Sequence, residues 1–168
     1  LLAVNSIIHS KTFDNGMICA SEQAAIIEAP IYDEAVEFMK KQGCYFATKE
    51  EAKKIEPVVI NLEKKVVNAA VVGKYAYEIA EMAGISIPKD TKVICVEIED
   101  VGEDYPLSRE KLSPVLAVVK AKDVEDGMKK SETMLELGGL GHTAVIHSKN
   151  EDVIQEFGKR MKASRIVV

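Results

Sequence analysis

Cys19 stands at a break between two regular-looking stretches of the sequence. A helix-like apolar run covers residues 1–13, the pair Asn15-Gly16 interrupts it, and a strand-like run follows at residues 24–29. A thiol at such a break can be held in a fixed direction and stay open to a substrate, and the thiolate is the attacking form in covalent catalysis. The competing interpretation is a buried structural cysteine, since free cysteine is among the most buried residue types. The local sequence by itself leaves both interpretations open.

A histidine follows a run of glycines near the carboxyl end of the chain, in the segment Gly138-Gly139-Leu140-Gly141-His142-Thr143. Glycine lets a backbone come close to a ligand, and imidazole titrates near neutral pH, so His142 is a candidate base. The alternative is a helix C-cap at Gly138 followed by an ordinary loop histidine. The glycine spacing fits neither the dinucleotide nor the Walker phosphate motif. His9 and His147 fall in predicted regular elements, where a structural role is favoured.

Glu110 is the third candidate, and it lies just before a predicted strand. A carboxylate can accept two hydrogen bonds and is therefore suited to a ribose diol. The alternative is a solvated surface carboxylate. Cys44 and Cys95 lie inside strand-like runs, which favours buried structural roles for both.

The composition limits the partners and the compartment. The 168 residues carry 27 acidic and 22 basic side chains, a net charge of −5, which argues against nucleic acid or an anionic membrane as a partner. No apolar run approaches the ~20 residues of a membrane span, and the first residues do not form a signal peptide. Three cysteines with no C-x-x-C pair predict reduced thiols in a cytoplasmic protein, without a disulfide framework or a metal site.

Short β-branched runs alternate with amphipathic stretches along the chain. We expect strands at residues 24–29, 92–97, 115–119, 143–147 and 164–168. We expect helices at residues 1–13, 32–42, 49–55, 58–67, 75–82, 123–137 and 152–161, with Pro57 ending the third. The alternation predicts an α/β fold of three αβα layers around a mostly parallel sheet. Ligands of such sheets bind outside the carboxyl ends of the strands.

Three segments together resemble the motifs of the CoA-acylating aldehyde dehydrogenases. Residues 10–23, which read SKTFDNGMICASEQ, are similar to the cysteine motif of that family. Residues 110–114 resemble its form of the E-x-F-G-P motif, and residues 138–144 resemble its G-x-G-H-T motif. Met17, Leu112 and Ser113 depart from the wider superfamily in ways that fit the acylating branch. The resemblance covers essentially the whole chain and is greatest to the aldehyde dehydrogenase half of bifunctional aldehyde-alcohol dehydrogenases.

This resemblance implies a role for each candidate residue. Cys19 would attack an aldehyde carbonyl, hydride would pass from the adduct to NAD, and coenzyme A would take the acyl group from a thioester on Cys19. The backbone N–H of Cys19 would help to hold the oxyanion. Glu110 would bind the nicotinamide ribose, and His142 would deprotonate or position the thiol of coenzyme A. No metal is implied in this part of the family.

The resemblance also implies that residues 1–168 are the catalytic thiol domain of a longer polypeptide. The family's nucleotide-binding domain and C-terminal oligomerisation segment have no counterpart in this sequence, so we expect the chain to be inactive by itself. The expected partners are a small aldehyde and the rest of the same polypeptide, which can include an iron-dependent alcohol dehydrogenase half. Further copies in an oligomer or filament are also expected.

Acetaldehyde, coenzyme A and NAD form the expected substrate set. A CoA-dependent succinate-semialdehyde dehydrogenase is the alternative within the class, and it needs a cation for the distal carboxylate of its substrate. A cysteine hydrolase that uses Cys19 and His142, or a structural, filament-forming module, is the alternative outside the class. The sequence determines neither the aldehyde chain length nor the choice between NAD and NADP.

Overall fold

A computed structural model describes the backbone of residues 1–168 and the side chains of residues 1–138 and 140–168. The helices are α1 (Leu2–Thr12), α2 (Ala29–Lys41), α3 (Lys49–Val59), α4 (Ala76–Met82), α5 (Val124–Met134) and α6 (Glu151–Arg160). The strands are β1 (Ala24–Glu28), β2 (Cys44–Phe46), β3 (Ile60–Asn61), β4 (Val66–Val67), β5 (Val93–Ile98), β6 (Val115–Ala121), β7 (Thr143–Val145) and β8 (Arg165–Val167). Among the described residues, none of the helices is both long and apolar enough to cross a membrane.

Four parallel strands form the central sheet in the order β1-β6-β5-β2. Ala117 of β6 lies opposite Ala24 of β1 on one side and opposite Val96 of β5 on the other. Both inner strands are almost continuous runs of buried apolar residues. Such runs are typical of parallel strands covered on both faces, so the expected mostly parallel sheet is confirmed.

The two faces of this sheet carry separate cores. Cys95 of β5 packs with side chains of α1 and α2, whereas its neighbours Ile94 and Val96 pack with side chains of α3 and α4. Successive side chains of a strand point to opposite faces, so β5 contributes to both cores. The helices therefore lie on both sides of the sheet, as the three-layer αβα prediction required.

A third apolar cluster joins the carboxyl-terminal elements, with Met128 of α5, Ala144 of β7 and Phe157 of α6 among its members. Strands β7 and β8 pair in parallel as a sheet of their own, apart from the central one. Helix α5 starts as predicted, because the Asp123 side chain caps it by accepting a hydrogen bond from the Asp126 N–H.

The predicted helix at residues 58–67 is wrong. Helix α3 continues past the predicted stop to Val59, because Pro57 lies in its last turn, where a missing N–H removes only one helical hydrogen bond. The chain then forms the antiparallel pair β3 and β4. Asn68 caps the carboxyl end of α3: its backbone N–H donates to the Val59 carbonyl, and its side-chain amide donates to the Val58 carbonyl.

Candidate active site around Cys19

The segment before Cys19 turns sharply out of α1. Asp14, Asn15 and Gly16 all have left-handed backbone angles, with φ of 50°, 50° and 69°. The Asn15 side chain donates to the Gly73 carbonyl at 3.1 Å, which ties the turn to a distant loop. The chain leaves the turn with Cys19 exposed and free. The structure therefore decides against a buried structural role for this thiol.

Gly16 joins this turn to the segment that carries Glu110. A Cβ atom at Gly16 would lie 2.6 Å from the Ser113 carbonyl oxygen and 3.1 Å from that of Lys11. Real Cβ atoms do not approach backbone oxygens so closely, and the positive φ adds to the requirement for glycine. The Asn-Gly break in the sequence thus marks a point where two backbones pass in contact.

Gln23 makes a second link between the same two segments. Its side-chain oxygen accepts a hydrogen bond from the Lys111 N–H at 2.9 Å, and its side-chain amide donates to the Ser21 carbonyl at 2.9 Å. The residues on either side of Cys19 are therefore held to the Glu110 segment at two places, Gly16 and Gln23.

The Glu110 segment is held from inside by a buried lysine. Lys111 is fully buried, and its ammonium group donates to the carbonyls of Leu107 and Arg109 at 2.7 Å each. Burial lowers the pKa of Lys111 well below its usual value. With Lys111 inside, its neighbour Glu110 is exposed, and its carboxylate is open to a ligand.

His142 is held by the start of β8. The Arg165 N–H donates to the His142 carbonyl at 3.2 Å, and the imidazole Nδ1 lies 3.1 Å from the Thr143 hydroxyl oxygen. The ring is half-buried. Its only side-chain hydrogen-bond partner among the described residues is thus a hydroxyl, rather than the carboxylate of a catalytic triad.

Gly138 does not form the predicted helix C-cap. Gly138 has φ of 175°, which is extended backbone, and it lies in a wider turn, Leu135–Gly139, that continues α5. The left-handed residue is Gly141, with φ of 74°, and its N–H donates to the Lys162 carbonyl. The surroundings of Gly139 lie outside the described residues.

One cavity of about 670 Å³ brings the three predicted site residues together, because Cys19, Glu110 and His142 all line it. Strand β1 forms one wall, and parts of α5 and β7 form another. This volume is within the usual range for small-molecule sites. Residues that are about 90 and 30 positions apart in sequence therefore line the same cavity.

The same cavity has wall residues that no motif of the sequence indicated. Glu22, Lys65 and Arg109 line it, and so does His147. The predicted place of His147 within a strand is wrong, since β7 ends at Val145 and His147 is exposed. Spacing along the chain carried no indication of these positions, because they come from four separate segments.

Lys65 and Arg109 share one carboxylate. Glu103 accepts hydrogen bonds from Lys65 at 2.6 Å and from Arg109 at 2.7 Å, and both cations together hold the pKa of Glu103 below its usual value. Glu103 thus offsets part of the charge of these two cations, and the carboxylates of Glu22, Glu28 and Glu110 line the same cavity. The side chain of Arg109 is only 14% exposed, whereas Lys65 is largely in solvent.

The other two cysteines occupy buried positions in strands, as predicted. Cys44 of β2 and Cys95 of β5 are both free and buried. The hydrogen bond between them, together with burial, raises the pKa of Cys95 above its usual value, and the same hydrogen bond lowers the pKa of Cys44. Because both of these thiols are buried, Cys19 is the thiol of this chain that reagents and substrates can reach.

Comparison with known proteins finds similar sequences among the aldehyde dehydrogenases. No protein-family model matches the chain. The chain is 45% identical to the aldehyde-alcohol dehydrogenase of Streptococcus pneumoniae serotype 4 over 172 residues, which is 98% of this chain and 20% of that protein. It is 39% identical to the acylating sulfoacetaldehyde dehydrogenase of Bilophila wadsworthia over 99% of this chain and 36% of that protein.

A solved structure shows the same fold. The acetylating aldehyde dehydrogenase of Geobacillus thermoglucosidasius superposes with a TM-score of 0.94 at 46% identity, over 99% of this chain and 36% of that one. The chain thus spans about a fifth to a third of the proteins it matches. It is homologous to the CoA-acylating aldehyde dehydrogenase region of the aldehyde-alcohol dehydrogenases.

Proposed function

We propose that this chain supplies the catalytic thiol of a CoA-acylating aldehyde dehydrogenase. The overall reaction is the reversible conversion of acetaldehyde, coenzyme A and NAD to acetyl-CoA and NADH. The observation that carries the proposal is the shared cavity of Cys19, Glu110 and His142, with Cys19 as the exposed thiol. The relatives named above support the same reaction class.

Cys19 forms the covalent intermediate in this mechanism. Its thiolate attacks the aldehyde carbon, and loss of hydride from that carbon leaves an acyl thioester on the sulfur. The Cys19 backbone N–H donates no hydrogen bond to another described residue. It is therefore available to the carbonyl oxygen as negative charge develops there, which is the usual electrostatic contribution in acyl transfer.

Glu110 and His142 serve the two co-substrates. The exposed Glu110 carboxylate suits the two hydroxyls of the nicotinamide ribose, and NAD, when bound, supplies the hydride acceptor. His142 deprotonates or positions the coenzyme A thiol, which then takes the acyl group from Cys19. The imidazole of His142 is oriented by the Thr143 hydroxyl, whereas the histidine of a hydrolase triad is oriented by a carboxylate.

We propose that the complete enzyme needs parts that this chain does not contain. A nucleotide-binding domain, as in the family, would supply most of the NAD site, and further copies would assemble with it as an oligomer or filament. The three free cysteines fit the proposed cytoplasmic location. Sedimentation of the full polypeptide tests the assembly.

An anionic aldehyde is the second candidate substrate. Lys65 and Arg109 are two cations on a cavity wall that also carries Glu22, Glu28 and Glu110, and a cation there suits the distal carboxylate of succinate semialdehyde or the sulfonate of sulfoacetaldehyde. Comparing acetaldehyde with these two aldehydes in the full polypeptide separates the candidates. An Arg109→Met variant should lose activity selectively toward the anionic aldehydes if they are the natural substrates.

The thioester step can be tested without NAD. Acetyl-CoA should transfer one acetyl group to Cys19 of the full polypeptide and release the coenzyme A thiol, as followed by intact mass and peptide mapping. Cys19→Ser should take up no acetyl group, whereas Cys44→Ala, which changes a buried thiol, should behave like the wild type. Acetylation at another residue would overturn the assignment of the nucleophile, and steady release of acetate without NAD would support a cysteine hydrolase instead.

Glu110 is tested in the full polypeptide. A carboxylate hydrogen-bonded to a diol contributes about 1.5–3 kcal/mol, so Glu110→Gln should raise the KM for NAD roughly tenfold or more. The acetyl-transfer step should be unchanged, since it does not use NAD. An unchanged KM for NAD would remove Glu110 from the nucleotide site.

A further inference from the structure

Three buried polar atoms without a hydrogen-bond partner lie around the Cys19 segment. Among the described side chains, these atoms are Lys11 Nζ, Glu22 Oε2 and Ser113 Oγ. They come from the end of α1, the loop after Cys19 and the Glu110 segment. An unsatisfied buried polar group costs about 1–3 kcal/mol, and few occur in a folded protein, so three at one place require an explanation.

Lys11 is the charged member that lies deepest. Its side chain has no solvent exposure. The groups that face it are the carboxylates of Glu22 and Glu110, the Cys95 thiol on β5, and the second buried ammonium group, that of Lys111. Burial lowers the pKa of Lys11 to about 7, against the opposing attraction of Glu22 first and Glu110 second.

Glu22 connects this lysine to the thiol. It lies three residues after Cys19, and its side chain lines the same cavity, yet one carboxylate oxygen is buried. The buried oxygen and the Lys11 ammonium group attract each other without a direct hydrogen bond. Any influence of the Lys11 charge on the Glu22 carboxylate is therefore electrostatic and acts through space.

The fold alone gives no reason for a lysine at this position. An apolar side chain of similar length would fill the same space at the end of α1 without the cost of a buried charge, and such replacements are often neutral or stabilising. Gly16 and Gln23 already hold the segments together through contacts that need no charge. What Lys11 adds is an electrostatic hold on the one acidic side chain between Cys19 and Gln23.

We propose that Lys11 is a positioning residue for the thiol, whose buried ammonium group acts through the Glu22 carboxylate to hold residues 19–23 in the reactive arrangement. The proposal deepens the proposed function, since it concerns the same nucleophile. It makes the reactivity of Cys19 depend on the protonation of a second, buried group.

The test uses alkylation of Cys19 by iodoacetamide in the full polypeptide, which requires neither NAD nor coenzyme A. The variants are Lys11→Met, which removes the charge, Lys11→Arg, which keeps it, Glu22→Gln, and the double variant Lys11→Met with Glu22→Gln. Within residues 1–168, Cys44 and Cys95 are buried, so background labelling in this part is low. Peptide mapping assigns each label to its cysteine.

We expect the ratio of wild-type to Lys11→Met alkylation rates to change at least several-fold across the range from about pH 6 to about pH 8.5, as Lys11 loses its proton. Lys11→Arg should keep the rate of the wild type at about pH 6, and the double variant should be no more impaired than either single one, because paired residues are non-additive. A ratio that stays constant with pH, or effects of Lys11→Met and Glu22→Gln that simply add, would overturn the proposal.

The outcomes also separate this proposal from the proposed function. If the wild type is not acetylated by acetyl-CoA but shows the expected alkylation profile, the function is wrong and the positioning role remains. If acetylation succeeds and the ratio of alkylation rates does not change with pH, the proposed function remains and the positioning role of Lys11 is wrong. Should Lys11→Met fail to fold, Glu22→Gln decides, since it changes a cavity-wall side chain at constant volume and should itself abolish the pH-dependent step.

Discussion

Substitution of Gly16 by alanine tests whether the turn before Cys19 depends on contact with the Glu110 segment. The new Cβ would lie 2.6 Å from the Ser113 carbonyl oxygen, so one backbone must move by several tenths of an ångström. A non-glycine residue in the left-handed region costs about 1–2 kcal/mol, and overpacking costs about 1–3 kcal/mol. We expect Gly16→Ala to lower the free energy of unfolding by about 2–5 kcal/mol in urea denaturation.

Gly84→Ala is the matched control for this experiment. Gly84 has φ of 70°, close to the 69° of Gly16, but a Cβ there would meet nothing within 4 Å. It should therefore lose only the left-handed cost, about 1–2 kcal/mol. Gly16→Ala should also change the alkylation rate of Cys19, and Gly84→Ala should not. Equal losses of stability in the two variants would refute the reasoning from the Ser113 contact.

Three further substitutions test other parts of the structure. Lys11→Met should raise the free energy of unfolding at pH 7 by up to about 4 kcal/mol, because the folded state lowers the pKa of Lys11 from 10.5 to about 7. The unfolded chain binds more protons between those values, so wild-type stability should rise with pH above 7 relative to the variant by about 1.4 kcal/mol per pH unit; parallel pH profiles would contradict the buried charge. Thr48→Ala should cost about 1 kcal/mol by thermal or urea unfolding, since Thr48 and Glu51 form a capping box at α3, and Thr48→Ser should cost much less. Asn15→Ala should lose the bond to Gly73 and strain a residue at φ of 50°, whereas Asn15→Gly should lose only the bond; equal losses would show that backbone strain is unimportant there.

The regular elements were predictable wherever a local pattern decided them. The apolar runs of β5 and β6 are each interrupted by a single charged residue, Glu97 and Lys120, and such nearly continuous runs are typical of a parallel strand covered on both faces. The prediction failed at residues 58–67, because Val58, Val59 and Ile60 are apolar in a way that suits a helix as well as a strand. Asn68, ten residues beyond Val58, decides where the helix ends by hydrogen bonding to its last carbonyls.

The sequence by itself determined which residues were candidates for chemistry and the class of fold that carries them. Cys19, Glu110 and His142 could be selected because the residue types, the Asn-Gly break and the glycine run are local features. Only the tertiary structure decided that the Cys19 thiol is exposed, that the three residues share one cavity, and that Lys11 lies buried behind them. Exposure, shared walls and the cost of a buried charge depend on segments far apart in the chain, which no local pattern records.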